Sequence, residues 1–321
     1  VESSTAGSIP KQEATTTRSR MLGKKLLGQW DIQLMILPGF ILVLMFSYLP
    51  MYGVVIAFKD YNIFKGMLDG PWVGMKHFNT FFQSPDFWTI MRNTIGISLL
   101  KLGINFPAPI VLALFLNEVR RMVFKRIIQT ITYLPHFLSW VVVAGFMASL
   151  LSVDNGSINL LLQKAGLIDE PIHWLAVPEY FWGIVVGSNL WKEIGFSSIV
   201  YLAAIAGVSL HLYESAAIDG AGRFKRMILI TVPSIMPVII IFFILAIGNL
   251  LSAGFEDLLL LGKNPILREY SEVLDTYVFR TGIESGRYSY AAAAGLFKAV
   301  VSVGLLAAAN AIARRRGHSL W

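Results

Sequence analysis

The chain has no cysteine among its 321 residues, so disulfides and Cys-ligated zinc or iron–sulfur centres are excluded. Charge is also scarce. Only 15% of residues are Asp, Glu, Lys or Arg, against about 25% in a soluble globular chain. No G-x-x-x-x-G-K-[ST] loop is present, so the chain itself has no means of cradling ATP phosphates in that way. Neither H-E-x-x-H nor a G-x-S-x-G elbow occurs, and His77, His136, His173, His211 and His318 are far apart in sequence. No catalytic constellation and no metal-ligand cluster is therefore expected. What is abundant is hydrophobicity, at 55% of residues. That excludes a disordered chain and favours a bundle of membrane-spanning helices.

Six stretches are long and apolar enough to cross a hydrocarbon core, which takes about 20 residues. They run over 33–58, 88–116, 127–151, 181–206, 234–255 and 290–313. Each is continuously apolar rather than alternating, which argues against a barrel. The fold class expected is all-α, with six transmembrane helices in one domain, 31–321. Residues 1–30, rich in Ser, Thr, Gln and Lys, read as a disordered tail. The apolar run after them starts too late and continues too long for a cleavable signal peptide.

Orientation follows from Lys and Arg. With the N-terminus inside, the inner segments 1–32, 117–126, 207–233 and 314–321 hold fifteen of them, and the outer segments 59–87, 152–180 and 256–289 hold eight. The excess places both termini in the cytoplasm. The formal charge of +7 is spread over four separate segments, with no basic stripe of the kind nucleic acid requires. Topogenic charge beside anionic lipid accounts for it.

The inner segment 207–233 is the most informative. Residues from Leu212 to Asp219 favour a short helix, and Gly220 and Gly222 end it. A second helix from Phe224 leads towards Pro233. Ser215, Ala216 and Ala217 are small, so the helix can approach another backbone closely. Such an elbow, too short to be a domain, suits the docking of a soluble partner.

Here the chain resembles the inner-membrane subunits of binding-protein-dependent ABC importers. Their cytoplasmic motif reads E-A-A, three residues, G, nine residues, I-x-L-P. Glu214, Ser215, Ala216, Gly220, Ile230, Val232 and Pro233 stand at those spacings, with Ser for the first Ala and Val for Leu. Asp219 and Ala221 extend the match. Trp72-Val73-Gly74-Met75-Lys76-His77-Phe78 is similar to the W-V-G-L-x-N-F entry segment of sugar-type permeases. Asn93-Thr94, Phe115-Leu116-Asn117-Glu118 and Tyr133-Leu134-Pro135 resemble the oligosaccharide branch, often called LplB-type, and within it the larger membrane subunits of bacterial alginate importers.

The resemblance implies a non-catalytic subunit in the bacterial inner membrane that forms a heterodimer with a second permease subunit. Two cytoplasmic ATPase subunits, which would hold the ATP and Mg, and an extracytoplasmic solute-binding protein complete the assembly. Glu214, Ser215, Ala216, Asp219, Gly220 and Arg223 are then the residues that couple to the ATPase. The competing class is a secondary transporter or channel, which would lack the elbow and would often show a repeat between halves.

Candidate substrate-pathway residues are polar or aromatic side chains within spans, where polarity is expensive and faces a cavity. They are Asn93, Lys101, Ser188, Asn189, Trp191, Lys192, Asn249 and Lys298. Ser188 and Lys192 share a face at i, i+4. Pairing of Lys192 with its neighbour Glu193 is expected to be poor, because adjacent residues point about 100° apart. Four in-span cations (Arg92, Lys101, Lys192, Lys298) against the one mid-span acid Glu193 suit an anionic sugar such as a uronate oligomer, with a neutral oligosaccharide as the alternative.

Overall fold

A computed structural model describes residues 29–64, 66, 70–315 and 317. Residues 1–28, most of the expected N-terminal tail, lie outside them. All regular structure among the described residues is helical, apart from two isolated bridges, Lys59 to Trp72 and Asn62 to Gly66. The chain divides into two units, Val1–Val55 and Ile56–Trp321.

The first unit contributes nearly all of helix α1, Trp30–Phe58, an apolar element of 29 residues. In the second unit, α2 is Phe87–Glu118, α3 Met122–Phe137, α4 Trp140–Leu150, α5 Pro178–Ala206, α6 Leu210–Ile218, α7 Arg223–Gly248 and α8 Tyr288–Arg314. By length and apolarity α1, α2, α7 and α8 can each cross a membrane. The count reaches six if the bent pairs α3–α4 and α5–α6 are each taken as one span.

Two of the expected spans are corrected. The third is not one rod, since α3 and α4 meet at 105°. Pro135 sits in a tight turn over Leu134–Phe137, Leu138 is extended, and Ser139 caps α4 by accepting a hydrogen bond from the Val142 amide. Proline cannot donate within a helix, and a serine cap starts a new one. The fifth span is displaced. Its helix begins at Arg223 and ends at Gly248, so Asn249 terminates the helix instead of lying deep within it.

Three π turns share a cause. Leu44–Tyr48, Lys101–Asn105 and Met227–Thr231 each end two residues before a proline, Pro50, Pro107 and Pro233. A proline ring clashes with the carbonyl four residues earlier, and a locally widened turn relieves the clash without breaking the helix.

The stretch 256–289, taken from sequence as an outer loop, folds back into the bundle. Its short helices Glu256–Leu261, Arg268–Ser271 and Leu274–Phe279 place Leu258, Leu261, Leu267 and Val273 in one apolar cluster with Ile97 of α2 and with Phe181 and Val185 of α5. A second cluster joins Leu274 and Tyr277 to Phe81, Ile90 and Tyr290. A third, at the other end, packs Ala113 and Leu114 of α2 against Tyr201 and Ile205 of α5 and Met227 and Ile235 of α7. α5 is thus the central element. It crosses α3 closely at Gly195, where a Cβ would lie 2.1 Å from the Thr132 carbonyl oxygen, so only glycine fits.

Candidate substrate cleft and coupling elbow

α2, α5 and α7 enclose two cavities of about 410 and 320 Å³ that share Asn105, Phe106, Ser197, Ala246 and Asn249, and so form one cleft. The π turn of α2 turns Lys101 and Asn105 to it. From α5 comes the face Asn189, Glu193 and Ser197, at successive intervals of four residues. Asn249, freed from helical geometry at the end of α7, closes the third side. Asn105 Nδ2 donates to Asn189 Oδ1 (2.9 Å) and to the Val186 carbonyl (3.2 Å), tying α2 to α5 across the cleft. Ser98 Oγ and Asn105 Oδ1 have no hydrogen-bond partner among the described residues.

Each in-span cation has a partner. Lys101 Nζ lies 2.6 Å from Asp257 Oδ2 and donates to the Ala253 carbonyl at 2.6 Å. Lys298 pairs with Asp275. Arg92 donates to Asn93 Oδ1 and to the Glu269 carbonyl. Lys192 Nζ donates to the His136 carbonyl at 2.7 Å and lies 3.3 Å from Glu193 Oε1. The expectation that neighbours 192 and 193 pair poorly is thereby corrected. The long lysine stem and the carboxylate both bend towards the chain break at Pro135-His136, where His136 Nδ1 sits 2.8 Å from Glu193 Oε2 and its ring stacks on Phe196 at 3.8 Å.

Of the candidate pathway residues, Lys101, Asn189 and Asn249 line the cleft. The other five do not. Asn93 is fully buried and donates to the Glu269 and Glu272 carbonyls. Ser188 and Lys192 are buried on another face of α5. Trp191 stacks on Phe146 of α4 at 5.7 Å, and Lys298 is held by Asp275. Glu193, noted from sequence as the mid-span acid beside Lys192, lines the cleft, as do Ser98, Asn105, Ser197 and Ser252, which the sequence reading did not single out. The four-residue spacing from Asn189 to Glu193 to Ser197 was a signal for the first and the fourth.

The elbow has the expected form. α6 leaves α5 at 71°. It ends with Asp219 as the cap, the Gly220 amide donating to the Ala217 carbonyl at 3.1 Å and the Ala221 amide to the Ala216 carbonyl at 2.8 Å. That is a Schellman ending, and Gly220 supplies its left-handed residue with φ +75°. Tyr213 and Thr231 hydroxyls hydrogen-bond at 2.9 Å, fastening α6 to α7. Glu214, Ser215, Asp219, Gly220 and Arg223 are exposed and Ala216 is partly so. Exposed with them are the apolar side chains Leu210, Leu212, Ile218 (88%) and Phe224.

Residues 105–318 match the family described as the binding-protein-dependent transport system inner membrane component. The chain belongs to this family. It is 47% identical over 301 residues to the polygalacturonan/rhamnogalacturonan transport system permease protein YteP of Bacillus subtilis (strain 168), covering 94% of this chain and 92% of YteP. It is 45% identical over 284 residues to protein LplB of the same organism, covering 88% of each. It also superposes with a TM-score of 0.84 and 41% identity on a chain of the bacterial alginate ABC transporter solved in complex with an alginate pentasaccharide-bound periplasmic protein, covering 92% of this chain and 98% of that one. The chain is thus a membrane-integral permease of the sugar ABC importer type, a transport component.

Proposed function

We propose that this permease forms half of the translocation pathway of an importer for acidic, uronate-type oligosaccharides. A second permease subunit, two cytoplasmic ATPases and an extracytoplasmic binding protein complete it, and both termini lie in the cytoplasm. The observation that carries the substrate class is the likeness to permeases named for polygalacturonan and for alginate, since galacturonan and alginate are both polymers of uronic acids. The count of in-span cations gives this reading no support, because each is neutralised or bound to carbonyls.

The cleft would hold a sugar by amides and hydroxyls. Asn105, Asn189, Asn249, Ser98, Ser197 and Ser252 can exchange hydrogen bonds with hydroxyl groups, and Phe106 can cover an apolar sugar face. ATP binding to the partner subunits would favour one of two arrangements of the bundle, and the exposed elbow 210–219 would carry that preference to α5 and α7.

The experiment is reconstitution. The permease is expressed with its neighbouring genes, the assembled complex is purified through a tag on this chain, and uptake into vesicles is measured with galacturonate or alginate oligomers against maltooligosaccharides of equal length. Copurified nucleotide-binding subunits and at least tenfold faster uptake of the acidic oligomers are expected. Absence of an ATPase partner would overturn the assembly, and preference for the neutral oligomers would overturn the substrate class.

A further inference from the structure

A separate cavity of about 410 Å³ lies where the bundle meets the elbow. It is lined by Asn117 and Glu118 at the end of α2, Arg120 in the link to α3, Tyr213 of α6, and Arg223 and Arg226 at the start of α7. Three arginines thus line one concavity, and none of them forms an ion pair among the described residues. Arg92, Lys101, Lys192 and Lys298, by contrast, each have a partner. Three cations beside a single acid leave a net positive concavity, which is unfavourable unless something anionic joins them. Glu118, the acid of the lining, forms no salt bridge with any of the three. Ile205, Val208 and Leu210 complete the wall, so basic groups and aliphatic surface lie side by side.

We propose that this cavity is a binding site for a phosphate-bearing anion, held by Arg120, Arg223 and Arg226. Guanidinium groups donate in pairs to phosphate oxygens, which a lysine cannot match. A phosphate there would bridge the α2–α3 link, the coupling helix and the start of α7. It would therefore bear on how motion of the elbow reaches the bundle. The phosphate can come from the headgroup of an anionic lipid, which the aliphatic wall also suits, or from free phosphate in solution.

The test uses the full chain purified in detergent. Binding of phosphatidylglycerol and of phosphatidylcholine is followed by native mass spectrometry, and binding of inorganic phosphate by calorimetry. Arg120→Gln/Arg226→Gln is compared with Arg121→Gln/Lys125→Gln, which removes the same charge from the same segments or the one adjoining without touching the cavity lining. We expect at least a tenfold loss of phosphatidylglycerol affinity in the first variant and less than twofold in the second. Arg120→Lys/Arg226→Lys keeps the charge, guards against misfolding, and should lose affinity by an intermediate factor. Selective loss of inorganic phosphate binding, with no phosphatidylglycerol effect, would support the site with a soluble ligand. Equal losses in both Gln variants, or no binding of either probe, would overturn it and leave these arginines as topogenic charge.

Discussion

Lys101 in α2 and Asp257, 156 residues further along, form an ion pair of 2.6 Å whose side chains are 16% and 4% exposed. The pair joins a π turn of a spanning helix to the segment that folds back after α7, and it stands at the edge of the cleft. Breaking a buried pair leaves an uncompensated charge and costs about 3–5 kcal/mol, while replacing both partners costs far less. Asp257→Ala should therefore lower the thermal stability of the purified chain strongly. Lys101→Met/Asp257→Leu should recover most of the loss. Size-exclusion profiles after a temperature ramp would show it, and a double variant no better than the single would mean that the pair carries little.

The contrast between this pair and the elbow shows what was legible in the sequence. Gly220, its spacing from Glu214 and the small residues between them encode a local structure, and local structure is written in consecutive residues. The break of the third span was written too, in Pro135 and Ser139, but continuous apolarity hid it. The partners of Lys101 and Lys298 were not legible. Asp257 and Asp275 lie in a stretch whose polar composition reads as an outer loop, and only tertiary packing of Leu258, Leu267 and Leu274 brings them inwards. The choice of cleft face on α5 has the same origin. Ser188 with Lys192, and Asn189 with Glu193, are equally good polar stripes, and which one meets the cleft depends on how α2 and α7 pack.

Orientation can be read with single cysteines, because the native chain has none. Ser157 and Ser215 are both exposed in the structure. An impermeant thiol reagent added outside should label Ser157→Cys and not Ser215→Cys. Labelling of Ser215→Cys from outside would overturn the orientation, and with it cytoplasmic docking of the elbow.

Gly220 tests coupling apart from packing. A Cβ there would meet nothing within 4 Å, so the cost of a side chain is the left-handed backbone alone, about 1–2 kcal/mol. Asparagine tolerates that conformation and a β-branched residue does not. In the assembled transporter, Gly220→Val should reduce uptake and substrate-stimulated ATP hydrolysis several-fold, and Gly220→Asn should remain near the parent. Equal activities in the two variants, with intact complexes, would reduce the elbow to a connector.

Asp60 offers a pH-dependent contact outside the spans. The Lys76 ammonium, hydrogen-bonded at 2.8 Å, holds its carboxyl below the usual carboxylate range, helped by His77 at 3.0 Å. A depressed carboxyl stabilises the fold above its unfolded value and loses that contribution as pH falls through the folded one. The loss is therefore confined to acid conditions and absent at neutrality. Carboxyl NMR of the labelled chain should show the Asp60 midpoint rising in Lys76→Met. An unchanged midpoint would show that the ammonium has no such effect.

Lys192 and Glu193 divide the electrostatics of the cleft between them. Glu193 lines it and Lys192 does not, yet Nζ is 3.3 Å from the Glu193 carboxylate. Lys192 should therefore act on substrate through Glu193. A unit charge 4 Å from a sugar carboxylate is worth about 1 kcal/mol in a water-like medium, or about fivefold in rate or affinity. Glu193→Gln should raise uptake of acidic relative to neutral oligomers by about that factor. Lys192→Gln should lower the ratio, since it leaves Glu193 less neutralised. The double variant separates the two routes. If Lys192 acts through its neighbour, its effect on the ratio disappears once residue 193 is Gln. If the ammonium touches the sugar directly, Lys192→Gln lowers the ratio by the same factor in either background, and the assignment of the cleft face to Asn189, Glu193 and Ser197 fails.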